Sequence, residues 1–396
     1  MTVPTVDMII AVHDLRRNVS RAVRSVIQDA DPTIRAFIVA HNLPVEDVRL
    51  ALADLIDENP GRVRVEQLDD GIRSPSGPFN YGMRSSTADY VGIMGSDDEL
   101  DPTSIREWRA CAEARHADAV IAKVVRGANR GLVRSPAKRV WKFGALDFAK
   151  DRLSYRSAPL GLIRRDAVER FDLRLLEGAG NGGDLPFVTR LWALGRVVPS
   201  TGLGAYVEHA DAPARVTWAA KPIDEEHGSI RWMLSGTFIN SLRPSYRTAL
   251  GTKLLRRNVM DSIRKRDGGR ALTNEDMAGL RRSIQMILAY APRSRWLVSR
   301  AHGAMIEELL RDAPRREVIV GWDEIAANPS HRDSLLPARL RFVLHRQAQP
   351  RYAAAAALIK VGSSRYLPAA VRATIALATT VVAIVAVLVV RSVSSG

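Results

Sequence analysis

The strongest concentration of reactive side chains is a pair of carboxylates that follows a short apolar run. Residues 90–94 (YVGIM) are apolar, and Gly95-Ser96-Asp97-Asp98-Glu99 comes directly after them. Adjacent carboxylates repel each other unless a cation or a hydrogen-bond donor neutralises them. Mg²⁺ and Mn²⁺ prefer oxygen ligands, usually one or two carboxylates together with substrate phosphates. The pair therefore predicts a divalent metal site, although capping of the helix that begins at Pro102 explains it equally well.

Strands and helices that alternate along the first half of the chain must position these carboxylates. Apolar strand patterns occur at residues 6–12, 34–40, 62–66 and 90–94, and helical spacing occurs at residues 19–27, 45–56, 79–86 and 102–115. Such alternation predicts an α/β fold with a mostly parallel sheet flanked by helices. Ligands of these sheets bind beyond the carboxyl ends of the strands, which is where Asp97 and Asp98 lie in the sequence.

Three segments together resemble the family 2 inverting glycosyltransferases with the GT-A fold. They are Ile10-Ala11-Val12-His13-Asp14, Asn80-Tyr81-Gly82, and the strand leading into Gly95-Ser96-Asp97-Asp98. The family opens with an apolar strand and a Pro-Val-Tyr-Asn-like turn, carries an Asn before a short helix, and places Asp-X-Asp-Asp after a strand. The resemblance covers residues 5–217. It implies a Rossmann-like GT-A domain that takes a sugar from a nucleoside diphosphate donor.

The resemblance also implies which residues hold the donor and its metal. Asp97 resembles the aspartate that contacts Mn²⁺ or Mg²⁺ on the diphosphate, and His209 would approach the same metal. The donor itself would be lined by Ala11, Val12, His13, Asp14, His41, Asn80, Ser96 and Asp98. Two positions depart from the family pattern: Gly95 replaces the first aspartate, and Ala40-His41-Asn42 replaces an Asp-Asp-Gly that commonly recognises the nucleotide base.

Asp184 resembles the family's general base. It lies in Gly183-Asp184-Leu185-Pro186-Phe187, where the family has a Glu-Asp pair and an aromatic residue at the head of a helix. An inverting transfer needs one carboxylate to deprotonate the acceptor hydroxyl. Capping of the helix that follows is the structural alternative.

Arginines in the segment before this base resemble the family's acceptor side. The residues are Arg156, Arg164 and Arg165. A guanidinium group binds an acceptor phosphate through two parallel hydrogen bonds. A solvated arginine face is the alternative for at least two of them.

The chain changes character after residue 217. Helical spacing at residues 230–242, 249–263, 280–290 and 296–310 predicts a helical accessory region. Of the net charge of +15, residues 251–396 carry +13 and residues 1–250 carry +2. Such a basic region attracts nucleic acid or an anionic membrane surface. The single cysteine, Cys111, excludes a disulfide-stapled scaffold and a cysteine-based zinc cluster.

Residues 373–390 (ATIALATTVVAIVAVLVV) contain no charge, proline or glycine. Eighteen apolar residues meet the lower limit for a membrane-spanning helix, and the basic residues before them predict a body that faces the cytoplasm. We therefore expect a single-pass membrane protein with a catalytic domain at 1–217, a helical region at 218–345, and a basic segment with a transmembrane helix at 346–396.

The predicted function is a metal-dependent, inverting transfer of a sugar to a hydroxyl of a cell-envelope glycan or polyprenyl-linked acceptor. The membrane is the expected partner, and nucleic acid is not. One alternative is a nucleotidyltransferase acting on sugar phosphates, but residues 11–14 lack the glycine-rich phosphate loop that such enzymes normally have. The other is a catalytically silent membrane scaffold. Loss of acidity at Gly95 and Gly183 favours it, and retention of Asp97, Asp98 and Asp184 opposes it.

Overall fold

A computed structural model describes residues 5–209, 221–328 and 331–362. The chain divides into two compact units. The first takes residues 1–133, 143–146 and 157–217, and the second takes residues 134–142, 147–156 and 218–396. The predicted domain limits at 217 and 345 stay a prediction.

The first unit alternates strands and helices along the chain. Its strands are β1 Val6–Val12, β2 Ile34–His41, β3 Val63–Leu68, β4 Tyr90–Gly95, β5 Glu99–Leu100, β6 Ala119–Ile121, β7 Lys123–Arg126, β8 Gly131–Leu132, β9 Gly161–Arg164, β10 Val197–Pro199 and β11 Ala205–Glu208. Its helices are α1 Val19–Ile27, α2 Val45–Ala51, α3 Ala53–Glu58, α4 Ser76–Ser85, α5 Ser104–Ala114, α6 Arg165–Arg170 and α7 Asp184–Leu194.

Two sheets are built from these strands. The larger has the order β10-β6-β9-β4-β1-β2-β3, and β3, β2, β1 and β4 run parallel. Only β9 runs antiparallel to its neighbours in this sheet. The smaller sheet has the order β5-β11-β7-β8. The predicted α/β fold with a mostly parallel sheet is therefore confirmed.

The core of the first unit explains why the central strands are apolar throughout. Every residue of β1 is buried, because helices cover both faces of a parallel sheet. Helix α1 turns its apolar residues toward β2, with Ala22, Val23 and Val26 fully buried. The sheet is thus a rigid support, and its strand ends can hold side chains at fixed positions.

The second unit is helical, as predicted for this part of the chain. Its helices are α8 Ile223–Glu226, α9 Gly228–Ser235, α10 Thr237–Ser241, α11 Pro244–Lys253, α12 Met260–Lys265, α13 Asn274–Tyr290, α14 Arg300–Leu310, α15 Arg315–Ala327, α16 Arg332–Leu335 and α17 Gln349–Gly362. A π-helical turn, Leu254–Val259, joins α11 to α12, and short 3-10 turns lie at Leu153–Tyr155, Asp267–Gly269, Pro292–Trp296 and Leu340–Phe342.

Two buried arginines attach the segment 147–156 to the rest of the second unit. Arg256 donates to Tyr155 Oη at 2.5 Å, and its other terminal nitrogen donates to the carbonyl oxygens of Leu297 and Gln347 at 2.9 and 2.8 Å. Arg152 donates to the carbonyl oxygen of Arg346 at 2.6 Å. Burial lowers the pKa of Arg152 to about 10. Part of the basic excess of the C-terminal third therefore serves internal packing.

The prediction of a single-pass membrane protein is wrong for the part of the chain that the structure describes. No helix within residues 5–209, 221–328 and 331–362 is long and apolar enough to cross a bilayer. The run at 373–390 lies outside the described residues.

Candidate active site

The parallel strands of the first unit end at one edge of the sheet. Ala11 of β1 pairs with Gly95 of β4, and His41 of β2 pairs with Leu68 of β3. The residues that follow these strands therefore emerge side by side, as the sequence predicted for a ligand site beyond the carboxyl ends. We call this edge the carboxyl edge.

Asp98 is held at the carboxyl edge by residues of β11 and the position after it. Tyr206 donates its phenolic hydrogen to Asp98 Oδ2 at 2.6 Å, and the backbone N–H of His209 donates to Oδ1 at 3.1 Å. Tyr206 Oη in turn accepts a hydrogen bond from the N–H of Gly95 at 3.0 Å. These bonds form a closed clamp, so the orientation of the Asp98 carboxyl group is fixed before any ligand binds.

Burial has the largest effect on the charge state of Asp98. Burial raises the pKa of the Asp98 carboxyl to about 6, against the hydrogen bond from Tyr206, and the negative Asp97 next to it acts in the same direction as burial. Burial also raises the pKa of Tyr206 well above its ordinary value, so Tyr206 remains a hydrogen donor. Asp98 therefore titrates close to neutral pH.

Gly95 is a departure from the family pattern that the geometry explains. A Cβ atom at this position would lie 2.6 Å from Asp98 Oδ2 and 3.2 Å from Asp97 Oδ1. Because Tyr206 holds the Asp98 carboxylate in place, a larger residue at position 95 would have to push it out of the clamp. The first aspartate of the family motif is thus incompatible with the way this chain orients the next two.

Asp97 is paired with an arginine from the turn that follows β1. Arg17 Nη2 lies 2.7 Å from Asp97 Oδ2, and the two side chains are only 16% and 7% exposed. Arg21 of α1 donates to the carbonyl oxygen of Asp97. The buried Nε of Arg17 has no hydrogen-bond partner among the described residues. The cation nearest to the predicted metal ligand is therefore a guanidinium group of the chain itself.

A divalent metal does not fit the described residues as they lie. Asp97 Oδ2 accepts from Arg17, and the His209 imidazole is hydrogen bonded to Glu99 Oε2 at 2.9 Å. Over residues 5–209, 221–328 and 331–362 no group of three or more His, Cys, Asp or Glu side chains is arranged to hold a metal ion. These contacts oppose the predicted Mn²⁺ or Mg²⁺ site at Asp97 and His209, which stays a prediction.

Ser96 lies between Gly95 and Asp97 with its hydroxyl buried. The residue is 1% exposed, and Ser96 Oγ has no hydrogen-bond partner among the described residues. A buried hydroxyl without a partner costs free energy, which makes the position after β4 a strained one.

The turn after β1 supplies both polar and apolar parts of the predicted donor site. Ala11 and Val12 are buried in the strand, and His13 is exposed beyond it. The pKa of His13 is lowered, first by desolvation and then by the positive Arg17, whereas the carboxylates of Asp14 and Asp97 oppose the shift. His13 lies at the carboxyl edge because it directly follows β1.

Asp14 forms a local pair instead. It accepts hydrogen bonds from Arg16 Nη2 at 2.7 Å and from the Arg16 backbone N–H at 3.0 Å. These bonds lower the pKa of the Asp14 carboxyl well below its ordinary value.

Asp70, which follows β3, is a further acidic residue at the carboxyl edge, and the sequence patterns did not predict it as a site residue. Asp70 Oδ1 lies 2.8 Å from Nε2 of the buried His41, and Asn42 Nδ2 contacts the same imidazole nitrogen at 3.1 Å. Asn42 Oδ1 accepts from the N–H groups of Asp70 and Gly71 at 3.1 and 2.9 Å. Burial opposes ionisation of Asp70, but hydrogen bonds from the Ile72 N–H and His41 lower its pKa. An acidic side chain that follows β3 therefore lies beside the end of β2, where the sequence has no aspartate.

Asn80 is a positioning residue in this structure. Its Nδ2 donates to the Leu175 carbonyl oxygen at 2.9 Å and to Glu177 Oε1 at 2.8 Å, and its Oδ1 accepts from the Leu175 N–H at 2.9 Å. Both hydrogens of the amide are used by the segment that leads to α7, so Asn80 orients that segment.

Asp184 is the first residue of α7, and it lies close to the start of α4. The loop before it is closed by a hydrogen bond of 2.8 Å from the Leu176 N–H to the Gly183 carbonyl oxygen. A Cβ atom at Gly183 would lie 2.6 Å from Ser76 Oγ and 2.8 Å from the Leu176 carbonyl oxygen. The glutamate that precedes the base in the family therefore has no room at position 183.

Two of the predicted acceptor-side arginines, Arg164 and Arg165, lie near the opposite end of β4. Arg164 donates to Tyr90 Oη at 2.9 Å, and Tyr90 begins β4, at the end opposite to Gly95. Arg165 donates to the Ala88 carbonyl oxygen at 3.0 Å, near the same end. Arg156 is buried and belongs to the second unit. We therefore do not carry these three residues into the candidate site.

The comparisons with known proteins concern the family and the fold. Residues 7–171 match the model of the Glycosyl transferase family 2. This part of the chain is a family 2 glycosyltransferase domain. The resemblance that the sequence showed is confirmed, and so is glycosyltransferase as the class of enzyme.

Structures of the glycosyltransferase TarS from S. aureus have a similar fold. The 1–349 fragment of TarS in complex with UDP-GlcNAc has a TM-score of 0.66 at 14% identity, over 82% of this chain and 91% of that one. The same fragment in another structure has a TM-score of 0.63 at 16% identity, over 83% and 92%. A longer TarS chain has a TM-score of 0.65 at 14% identity, over 81% of this chain, which spans 55% of the TarS chain. None of the curated proteins matches the chain.

Proposed function

We propose that this glycosyltransferase moves a sugar from a nucleoside diphosphate donor to a hydroxyl of a glycan acceptor, with inversion at the anomeric carbon. The observation that carries the proposal is the convergence of Asp97, Asp98, His13 and the His41–Asp70 pair at the carboxyl edge of a family 2 domain. A nucleotide and a diphosphate need donors, acceptors and positive charge side by side, and this edge offers all of them.

The donor would lie across the ends of the four parallel strands. His41, Asn42 and Asp70 would contact the nucleotide base and ribose, because they form one hydrogen-bonded group after β2 and β3. Arg17 and the turn after β1 come next along the edge. The clamped carboxylate of Asp98 would then accept hydrogen bonds from hydroxyl groups of the donor sugar.

Asp184 would act as the general base. The acceptor oxygen forms a bond to the anomeric carbon while the bond from that carbon to the diphosphate oxygen breaks. The electron pair of the broken bond leaves with the nucleoside diphosphate, and the acceptor proton passes to the Asp184 carboxylate. Asp184 is the first residue of α7, after a glycine-rich loop, and its sequence context resembles that of the family's base.

The experiment is a panel of donors incubated with the purified full-length chain. UDP-GlcNAc is the first donor to test, because the similar TarS fragment is a complex with it; other UDP-, GDP- and dTDP-sugars follow. We expect release of the nucleoside diphosphate from at least one donor, detected by chromatography. Absence of hydrolysis, transfer and binding for every donor would contradict the proposal and favour the silent scaffold. Cleavage between the two phosphates, which releases a sugar 1-phosphate in place of the nucleoside diphosphate, would favour the nucleotidyltransferase.

A further inference from the structure

The ion pair between Arg17 and Asp97 bears on how the donor's diphosphate is neutralised. Arg17 comes from the turn after β1 and Asp97 from the turn after β4, and they meet at 2.7 Å with little exposure to water. A metal ion bound to Asp97 would place two more positive charges within a few ångströms of this guanidinium group. Like charges at that distance repel strongly in a partly buried site. Arg17 and a divalent metal would therefore compete for the same carboxylate.

Arg17 retains the hydrogen-bonding capacity that a phosphate needs. A guanidinium group has five N–H donors in a planar fork, and the structure uses one terminal nitrogen for Asp97. Its Nε has no partner among the described residues. Asp97 holds the group at the carboxyl edge, and Arg21 fixes the backbone of Asp97 through its carbonyl oxygen. The arrangement orients a cation that is part of the chain.

We propose that Arg17, anchored by Asp97, supplies the positive charge that balances the donor's diphosphate, and that this glycosyltransferase binds its donor without a divalent metal. The inference rests on the proposed function, because it concerns the same donor. Asp97 is then the anchor of Arg17 and not a metal ligand. As the bond to the sugar breaks, the charge that develops on the leaving diphosphate oxygen is balanced by the guanidinium group.

The test is calorimetric titration of the full-length chain with UDP, GDP and dTDP, first with EDTA and then with Mn²⁺. We expect the affinity for the preferred nucleotide to differ by less than about threefold between the two buffers, because no metal bridge is lost. Mn²⁺ titrated alone, and into the chain with nucleotide, should show no specific binding.

Substitutions of Arg17 test whether its guanidinium group is the cation that binds the diphosphate. Arg17→Ala should weaken nucleotide binding about 10- to 100-fold, because charge-assisted hydrogen bonds to the diphosphate are lost. Arg17→Lys should recover part of the affinity, since it keeps the charge but not the fork. Arg24→Ala is the matched control: it removes the same charge from the exposed side of α1 and should leave binding unchanged. Circular dichroism verifies that each variant is folded.

The outcomes separate the inference from the proposed function. Nucleotide binding that EDTA abolishes and Mn²⁺ restores, with Arg17→Ala binding as well as the wild type, would contradict the inference and leave the proposed function in place. Binding of no nucleoside diphosphate in either buffer would contradict both.

Discussion

Asp98 is the residue whose chemistry is most closely controlled by its surroundings. Its two oxygens accept from Tyr206 and from the His209 backbone, and burial raises its pKa to about 6. Below that pH the carboxyl is mostly protonated, and above it the carboxylate accepts hydrogen bonds from sugar hydroxyls. Protonation of Asp98 therefore weakens the binding of the donor sugar.

The affinity for a nucleotide sugar should rise between pH 5 and pH 7, with a midpoint near the Asp98 pKa of about 6. The affinity for the nucleoside diphosphate alone should change much less, because it lacks the sugar. Asp98→Asn should remove the difference between the two pH profiles. Titrations of both ligands across this range check the prediction, and parallel profiles in the wild type would count against a contact between Asp98 and the sugar.

Asp184→Asn should lower sugar transfer by about 100- to 10,000-fold, which is the usual contribution of a general base. Donor affinity should stay close to that of the wild type, because the base acts on the acceptor hydroxyl. Asp172→Asn is the matched control, since Asp172 is an exposed carboxylate of the same unit, with a side chain 64% exposed. A parallel loss of donor binding and transfer would show instead that Asp184 is structural.

At the scale of elements, β11 braces the carboxyl edge. Tyr206 pairs with Leu100 of β5 across the smaller sheet, while its hydroxyl reaches Gly95 and Asp98 at the end of β4 in the larger one. The brace connects the two sheets of the first unit at the candidate site. The hydrogen bonds of Tyr206 thus affect both the stability of the fold and the pKa of Asp98.

Tyr206→Phe should lower the free energy of unfolding by about 1–3 kcal/mol, because it leaves buried polar groups of Gly95 and Asp98 without a partner. The pKa of Asp98 should rise further, since the hydrogen bond from Tyr206 lowers it. Urea unfolding and the pH profile of donor binding measure the two effects.

Tyr81→Phe is the control for this variant, because Tyr81 donates to Glu66 at 2.9 Å at a partly exposed site. Its loss should cost less than about 1 kcal/mol. Equal stability of the Tyr206 and Tyr81 variants would contradict the bracing role of β11.

Sequence patterns predicted the elements well and the contacts between them only in part. The apolar runs that became β1, β2 and β4 were visible because burial on both faces demands continuous hydrophobic residues. The pairing of Arg17 with Asp97 was not visible, since the two residues are 80 positions apart and meet only through the register of β1 and β4. Local motifs carry no information on such a contact.

Asp70 was not predicted as a site residue, for a related reason. Asp69-Asp70-Gly71 directly follows β3, and an acidic pair after a strand was the signal that identified Asp97 and Asp98. Its importance depends on β3 lying beside β2 in parallel, which places Asp70 against His41. The rule that an acidic pair directly after a strand marks a site residue, applied to every strand end, also selects Asp70.

At the scale of the whole molecule, the positive charge of the C-terminal third is partly internal. Arg256 is buried among carbonyl oxygens and Tyr155, and Arg266 is buried beside Glu226 at 2.9 Å. Such arginines contribute to the packing of the second unit and offer little charge to a partner. Net charge along the sequence therefore overstates the charge available on the surface of this region.

Arg256→Ala should lower the free energy of unfolding by about 2–4 kcal/mol, because it removes three hydrogen bonds and leaves a cavity. Arg264→Ala is the control: its side chain is 60% exposed, and its loss should change stability by less than about 0.5 kcal/mol. Chemical unfolding followed by circular dichroism compares the two. Similar stabilities would mean that the segment 147–156 is held to the second unit by other contacts.

The central claim, that a sugar nucleotide binds across the carboxyl edge of β1 to β4, is tested most directly by a crystal structure of the chain with the donor selected from the panel. We predict the base beside His41 and Asp70, the diphosphate within hydrogen-bond distance of Arg17, and the sugar against Asp98. A donor bound away from the ends of these strands would contradict the account.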